Sequence, residues 1–348
     1  CNSKERPWPL LNDFDADDWG FRGFVVSDWG ATDFIDTTEE CIHAGLSLEM
    51  PRAFLYKKKV LKEALEAEKF TIEELNTLIK RLLRVMFLTG IFDADDSLPL
   101  GSRNTPEHQS IAKNIAGEGI VLLKNVADLL PLNIKKINSI SILGPNTNIK
   151  PSSDQDKTGS SSVYPLYEIT PLQGMINKCQ DKVEIVEDPS QADAVIIFAG
   201  LEHRLGMDAE DQDRDFFDLP YEQIKLINQT AILNKNIVVV LINGSPIGMK
   251  RWIDSVPAII EAWYGGMEAG NVIADVIFGD INPSGKLPIT FPQKLSDSPA
   301  HQSHSTFPGN ERVFYKEGVF VGYRYFDKNN IKPQFPFGFG LSYTDFEY

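Results

Sequence analysis

The sequence predicts an α/β chain in two parts: a pair of β-α units, then a second α/β domain with a mostly parallel sheet. Three observations predict it. Short apolar runs alternate with segments of helical period along most of the 348 residues. Several of those runs are continuously apolar, the pattern of strands buried on both faces of a parallel sheet. A stretch containing Asp, Ser, Pro and Gly with little apolar periodicity, residues 94–106, divides the alternation into a short first part and a long second one.

The elements follow in order. Phe24-Val25-Val26-Ser27 reads as a buried parallel strand that ends in Asp28-Trp29-Gly30. A helical stretch is expected over 35–44, then a strand over 46–50 stopped by Pro51. Helices return over 55–68 and 72–88. The second opens with Thr71 and Glu74 at capping-box spacing and carries Ile72, Leu75, Leu78, Ile79, Leu82, Val85 and Met86 at helical period, with Gly90 as a stop. Two β-α units cannot close a barrel, so a barrel reading places the other strands upstream. A chain that begins at Cys1 and reaches motif-rich sequence within about twenty residues is read here as cut at its N-terminus. Residues 1–93 are thus expected to be the C-terminal end of a barrel and 94–106 a linker.

Residues 107–292 are expected to form the second domain. It opens with residues 107–126, expected to be helical and then apolar from Gly119 to Asn125. Strands are expected at 139–143, 183–186, 194–199, 237–242 and 258–263, with helices at 171–177, 221–233 and 268–278. The stretch 156–162 is polar and flexible, and the aromatic, glycine-rich tail 293–348 reads as irregular structure packed on the domain surface.

Composition narrows the function. Hydrophobic content of 42% and charged content of 24% fit a soluble globular chain, and no apolar run reaches the roughly eighteen residues that would span a membrane. A formal net charge of -15 repels phosphate and excludes a nucleic-acid grip, while neutral substrates remain compatible. The Lys57–Lys59 cluster reads as a solvated helix face. Three cysteines at wide spacing form no disulfide framework and no metal motif; Cys41 and Cys179 read as buried thiols. No phosphate-binding fingerprint is present, which argues against a nucleotide-binding reading.

Two acidic positions are candidates to carry chemistry. Asp28 lies where a parallel strand ends, the face on which α/β barrels build their sites. A carboxylate there can attack a sugar C1 while the flat ring of Trp29 stacks on a pyranose; a helix N-cap is the alternative. The second position is the run Met207-Asp208-Ala209-Glu210-Asp211-Gln212-Asp213-Arg214-Asp215, beyond the strand 194–199. Crowded carboxylates raise one another's proton affinity, as a general acid requires. A solvated acidic loop or a calcium site is the alternative. Asp213-Arg214 reads as structural pairing, and His203 and His43 as surface or substrate-edge residues.

The chain also resembles glycoside hydrolase family 3. The resembling blocks include Gly23-Phe24-Val25-Val26-Ser27-Asp28-Trp29-Gly30, Ala44-Gly45-Leu46 with Glu49-Met50-Pro51, and Gly90-Ile91-Phe92-Asp93. Further blocks are Ile120-Val121-Leu122-Leu123-Lys124-Asn125, Asn282-Pro283-Ser284-Gly285-Lys286-Leu287-Pro288, Val321-Gly322-Tyr323-Arg324-Tyr325 and Phe337-Gly338-Phe339-Gly340-Leu341-Ser342-Tyr343. The resemblance implies an (α/β)8 barrel followed by an α/β sandwich, often continued by a fibronectin-like domain. It implies a retaining β-glycosidase, with Asp28 as nucleophile, Trp29 lining the aglycone side, Glu210 as acid/base, and Asp213 and Arg214 in supporting positions. Asp211 stands where the family pattern usually has Gly. The resemblance also implies an oligosaccharide or β-glycoside substrate, no metal or organic cofactor, and a periplasmic or secreted location. It assigns no oligomeric state. A β-glucosidase is expected. β-Xylosidase and N-acetylhexosaminidase specificities of the same family, and a catalytically degenerate sugar-binding homologue, stand beside it.

Overall fold

A computed structural model describes residues 20–94, 101–152, 163–210, 213–310, 312–345 and 347. The flexible stretch expected over 156–162 and residues 95–100 of the expected linker therefore lie outside the described residues. The chain divides into two compact units, Cys1–Gly101 and Ser102–Tyr348. Among the described residues no helix is long and apolar enough to cross a membrane.

The first unit holds β1 (Val25–Val26), α1 (Thr38–His43), β2 (Leu46–Leu48), α2 (Lys58–Glu66) and α3 (Ile72–Leu88). β1 and β2 pair in parallel. The expected burial of β1 does not hold: Val26 is 48% exposed, because a two-stranded sheet offers one neighbour and little to cover its faces. The expected helix over 35–44 is shorter, a 3-10 turn at Ala31–Phe34 followed by α1. α3 has the predicted bounds. Its capping box closes both ways: the Thr71 hydroxyl accepts from Glu74 N, and the Glu74 carboxylate accepts from Thr71 N at 2.7 Å. A small core of Ile42, Phe70 and Leu78, backed by Tyr56, Leu61 and Leu75, joins these helices.

The second unit is built on a six-stranded sheet. In chain order its elements are α4 (Pro106–Gly119), β3 (Val121–Asn125), β4 (Ser139–Leu143), α5 (Pro171–Cys179), β5 (Glu184–Ile185), β6 (Ala194–Gly200), α6 (Tyr221–Leu233), β7 (Ile237–Ile242), β8 (Ala258–Glu261), α7 (Ala269–Ile277) and α8 (Tyr323–Lys328). The strand order is β3-β8-β7-β6-β4-β5. β3 runs antiparallel to β8, and all other pairs are parallel. Every residue of β6 and β7 is buried, as their uninterrupted apolar sequences require when both faces are covered.

Side chains alternate between two cores. Ile196, Phe198, Val238, Val240 and Ile260 face Met175 of α5 and Val272, Ile273 and Val276 of α7. Val195, Ile197, Val239, Leu241 and Ile259 face Ile224 and Ile227 of α6, together with Trp252, Phe291 and Phe335. α5 and α7 approach so closely that a Cβ on Gly174 would lie 2.0 Å from the Gly270 carbonyl oxygen, so no larger residue fits there. The tail contributes α8, which the sequence reading leaves irregular, and is stitched to the sheet region. Leu341 N donates to Leu122 O, and Leu287 N to Phe339 O, both at 2.9 Å.

The chain order of the strands reverses between β4 and β6. In open α/β sheets ligands bind outside the C-terminal strand ends at such a point. A crevice of about 820 Å³ lies there, lined by Asn146, Glu202, His203, Arg204, Met207 and Gln223 among others.

Candidate active site

In the first unit Asp28 lies two residues past β1, on an exposed loop. Its Oδ1 accepts from Trp29 N at 2.6 Å and its carbonyl from Ala31 N at 3.2 Å. Trp29 is 71% exposed, so its ring faces solvent within this unit. β2 holds the loop. Ser27 N donates to Leu48 O, Met50 N to Ser27 Oγ at 2.8 Å, and Gly30 N to Met50 O at 3.2 Å. Gly30 has φ 81°, a backbone region open to glycine at no steric cost, and starts the turn that follows.

Beneath that turn lies Glu49, buried, which sequence reading gives no role. It accepts from Thr32 Oγ1 at 2.8 Å and from the backbone N–H groups of Phe54, Leu55 and Tyr56 at 3.0, 3.2 and 2.9 Å. Burial pushes its proton affinity up, but the bonds from Tyr56, Leu55, Thr32 and Phe54 outweigh burial and hold the carboxyl below its usual range. Its sequence signal is a carboxylate directly after a strand and before Met50-Pro51, where a surface charge has no reason to be buried.

In the second unit the long segment between β6 and α6 carries the acidic run. A Cβ on Gly200 would sit 2.1 Å from Ile242 O, and the backbone of Gly200 is bracketed by Gln223 of α6, which donates to its carbonyl and accepts from its N–H. Beyond that fixed point the chain reaches Glu210, which is exposed. Asp211 and Gln212 lie outside the described residues. Asp213 is exposed, and among the described residues no ion pair joins it to Arg214, against the structural pairing expected of these neighbours. Arg214 instead donates from Nη2 to Pro246 O at 2.6 Å. Burial lowers its proton affinity, while the charge of Asp208 works the other way.

Asp208 of the same run gathers three donors. It accepts from Gly244 N at 2.6 Å, Ser245 Oγ at 2.5 Å and Tyr264 Oη at 3.0 Å. His203 is half-buried, stacks on Tyr264 with ring centroids 4.1 Å apart, and sets Nδ1 3.0 Å from Asp208 O. At the end of β8, Glu261 is fully buried. Asn243 Nδ2 donates to it at 3.2 Å and Trp263 N at 3.3 Å. Burial raises its proton affinity well above the ordinary carboxylate range, more than those two bonds lower it, and Asp208 raises it further. Sequence reading passes over Glu261, Ser245 and Tyr264. The available signal was Glu261 closing an otherwise apolar strand.

Among the described residues no group of three or more His, Cys, Asp or Glu side chains is placed to hold a metal.

A mostly parallel α/β sheet covered by helices on both faces, with carboxylates on the loops beyond its C-terminal strand ends, defines the class: an α/β protein of the kind that builds sites at those ends. The description "Glycosyl hydrolase family 3 C-terminal domain" matches residues 120–343, and the chain belongs to glycoside hydrolase family 3. It is 39% identical to the thermostable beta-glucosidase B of Acetivibrio thermocellus, across 97% of this chain and 45% of that protein. It is 31% identical to a beta-xylosidase of Formosa agariphila, across 97% of this chain and 51% of that one. The crystal structure of the beta-glucosidase D2-BGL from Chaetomella raphigera superposes with a TM-score of 0.82 at 28% identity, covering 97% of this chain and 52% of that one. The chain thus spans about half the length of the curated relatives it matches.

Proposed function

We propose that this chain is the C-terminal part of a retaining, exo-acting β-glycosidase, a β-glucosidase that hydrolyses terminal non-reducing β-D-glucosyl residues. In this reading the first unit is the end of an (α/β)8 barrel over 1–93, joined by the linker 94–106 to an α/β sandwich over 107–292 and its tail. Asp28 attacks the anomeric carbon while Glu210 protonates the departing oxygen. A glycosyl ester of Asp28 forms and the aglycone alcohol leaves. Glu210, now ionised, takes a proton from water, which attacks the same carbon and frees Asp28. Trp29 offers an apolar face to the aglycone side. Arg214 supports the acid/base loop through Pro246, and Asp213 lies at the exposed end of that loop.

One observation carries the proposal. Asp28 stands two residues beyond the end of β1 on a loop bonded to β2, and Glu210 stands beyond β6, two residues after Asp208, which is bonded to Gly244 and Tyr264. Because the relatives are about twice as long, we assign full activity to the complete polypeptide and expect little from the chain alone. The substrate is an oligosaccharide or β-glycoside. A periplasmic or secreted location is part of the same reading.

Incubation of the complete polypeptide with a 2-deoxy-2-fluoro-β-glucosyl fluoride tests it. The sugar should be recovered as an ester on the peptide containing Asp28, found by mass spectrometry. An unlabelled protein, or a label elsewhere, sinks the assignment. The similarity to the Formosa agariphila beta-xylosidase favours a second specificity. Comparison of kcat/KM for aryl β-glucoside and β-xyloside separates the two.

A further inference from the structure

In sequence Glu210 stands between two ends, Asp208 and Arg214. Both ends grip the same short turn after β7. At the first end the Asp208 carboxylate takes Gly244 N at 2.6 Å and Ser245 Oγ at 2.5 Å, and it also takes Tyr264 Oη from the segment after β8 at 3.0 Å. Its backbone is held too: Asp208 N donates to Glu202 O at 3.2 Å, and His203 Nδ1 lies 3.0 Å from Asp208 O. At the second end Arg214 Nη2 donates to Pro246 O at 2.6 Å. Gly244 makes the closeness possible, since a Cβ there would lie 3.1 Å from the Tyr264 ring.

We propose that Asp208 is a positioning residue for the acid/base: by binding Gly244, Ser245 and Tyr264 it fixes the backbone two residues before Glu210 on the segments that follow β7 and β8, as Arg214 fixes it four residues after. This rests on the assignment of Glu210 as acid/base. A side chain two residues from a fixed point has fewer positions open to it than the same side chain on a released backbone. A charged acceptor with three donors suits the task, because charge-assisted bonds are short and strong. Asp208 itself does not touch substrate in this reading.

The test separates positioning from general loss of structure through the leaving group. A dinitrophenol departs without protonation, whereas phenol needs the acid. With the protein expressed from its complete reading frame, kcat/KM is measured on phenyl and 2,4-dinitrophenyl glycosides of the preferred sugar for wild type, Glu210→Gln, Asp208→Asn and Tyr264→Phe. Asp208→Asn is expected to lose on the order of 10- to 100-fold on the phenyl glycoside, part of the roughly 10²- to 10⁴-fold a positioned acid supplies, and no more than about threefold on the dinitrophenyl glycoside. Tyr264→Phe removes one donor and should show the same split with smaller size, which keeps the test open if Asp208→Asn folds poorly. Equal losses on both substrates in the Asp208 and Tyr264 variants, or no loss in either, overturn the inference when Glu210→Gln shows the leaving-group split. A Glu210→Gln variant without that split removes the acid/base assignment, and this inference with it.

Discussion

Glu49 of the first unit directly follows a strand and Glu261 of the second closes one; both are buried, yet they hold their protons with opposite strength. Glu49 sits over a thin core and receives four donors from one turn of chain and one threonine. Glu261 sits at the end of a sheet covered on both sides and receives two donors. Burial penalises the charged form in both. At Glu49 the donors outnumber that penalty; at Glu261 they do not, and the Asp208 charge adds to it. The lesson is that depth of burial sets the cost of a charge, and the count of oriented donors decides whether the charge survives. The first unit gains order from a polar knot, the second from packing.

The largest expected effect attacks the packing. Phe198→Ala empties a fully buried site in β6 and should cost about 3–5 kcal/mol, while Leu78→Ala in the smaller core should fall nearer about 2 kcal/mol. Urea denaturation followed by peptide-resolved hydrogen exchange assigns each loss to its unit. Equal losses would break the contrast between a deep frame and a shallow one.

Next in size is the polar knot. Glu49→Gln keeps the shape but turns an amide –NH₂ toward backbone N–H donors, since Phe54 and Tyr56 share one carboxylate oxygen and Leu55 and Thr32 the other. A loss of about 1–3 kcal/mol is expected for the first orphaned donor. Faster exchange of the Phe54, Leu55 and Tyr56 amides would report it, and unchanged exchange there would contradict the knot.

A smaller effect sharpens the comparison through pH. Glu49 has its folded-state proton affinity depressed, so its stabilisation is present above the ordinary carboxylate value of about 4.3 and is lost as pH falls through the folded value. Glu261 has it raised, so its contribution is full below that ordinary value and declines as pH rises toward the folded one. Glu261→Gln should therefore flatten the decline in second-unit stability between acid and neutral pH. Urea midpoints at several pH values check this, and an unchanged slope would mean that Glu261 is ionised in the fold.

The smallest effect concerns the two buried thiols. Burial pushes Cys41 up to about 12 and Cys179 up to about 11, so neither presents thiolate near neutral pH. Iodoacetamide on native protein at pH 8 should leave both unmodified in a peptide map.

Much of this was legible in the chain. The strands 139–143 and 237–242 and the helix 72–88 have the bounds that apolar runs and the Thr71/Glu74 box predict, because each signal is local and each neighbour agrees with it. Membership of glycoside hydrolase family 3 was legible as well, since its blocks are contiguous residues. The exposure of Val26 was not, because burial depends on how many strands lie alongside. Nor was the partner of Arg214: a neighbour in sequence suggested Asp213, and the fold supplies a carbonyl 32 residues away.

The sequence by itself determined where most strands of the large sheet fall, because hydrophobic period is a property of the chain; β3 (Val121–Asn125), expected only as the apolar end of a helical stretch, is the exception. The tertiary structure alone decided which carboxylates are anchors. Asp208 meets Gly244, Ser245 and Tyr264 over sequence separations of 36, 37 and 56 residues, and no local pattern encodes such a meeting. Proton affinity was decided there too, since it depends on donors and burial that exist only once distant segments have packed together.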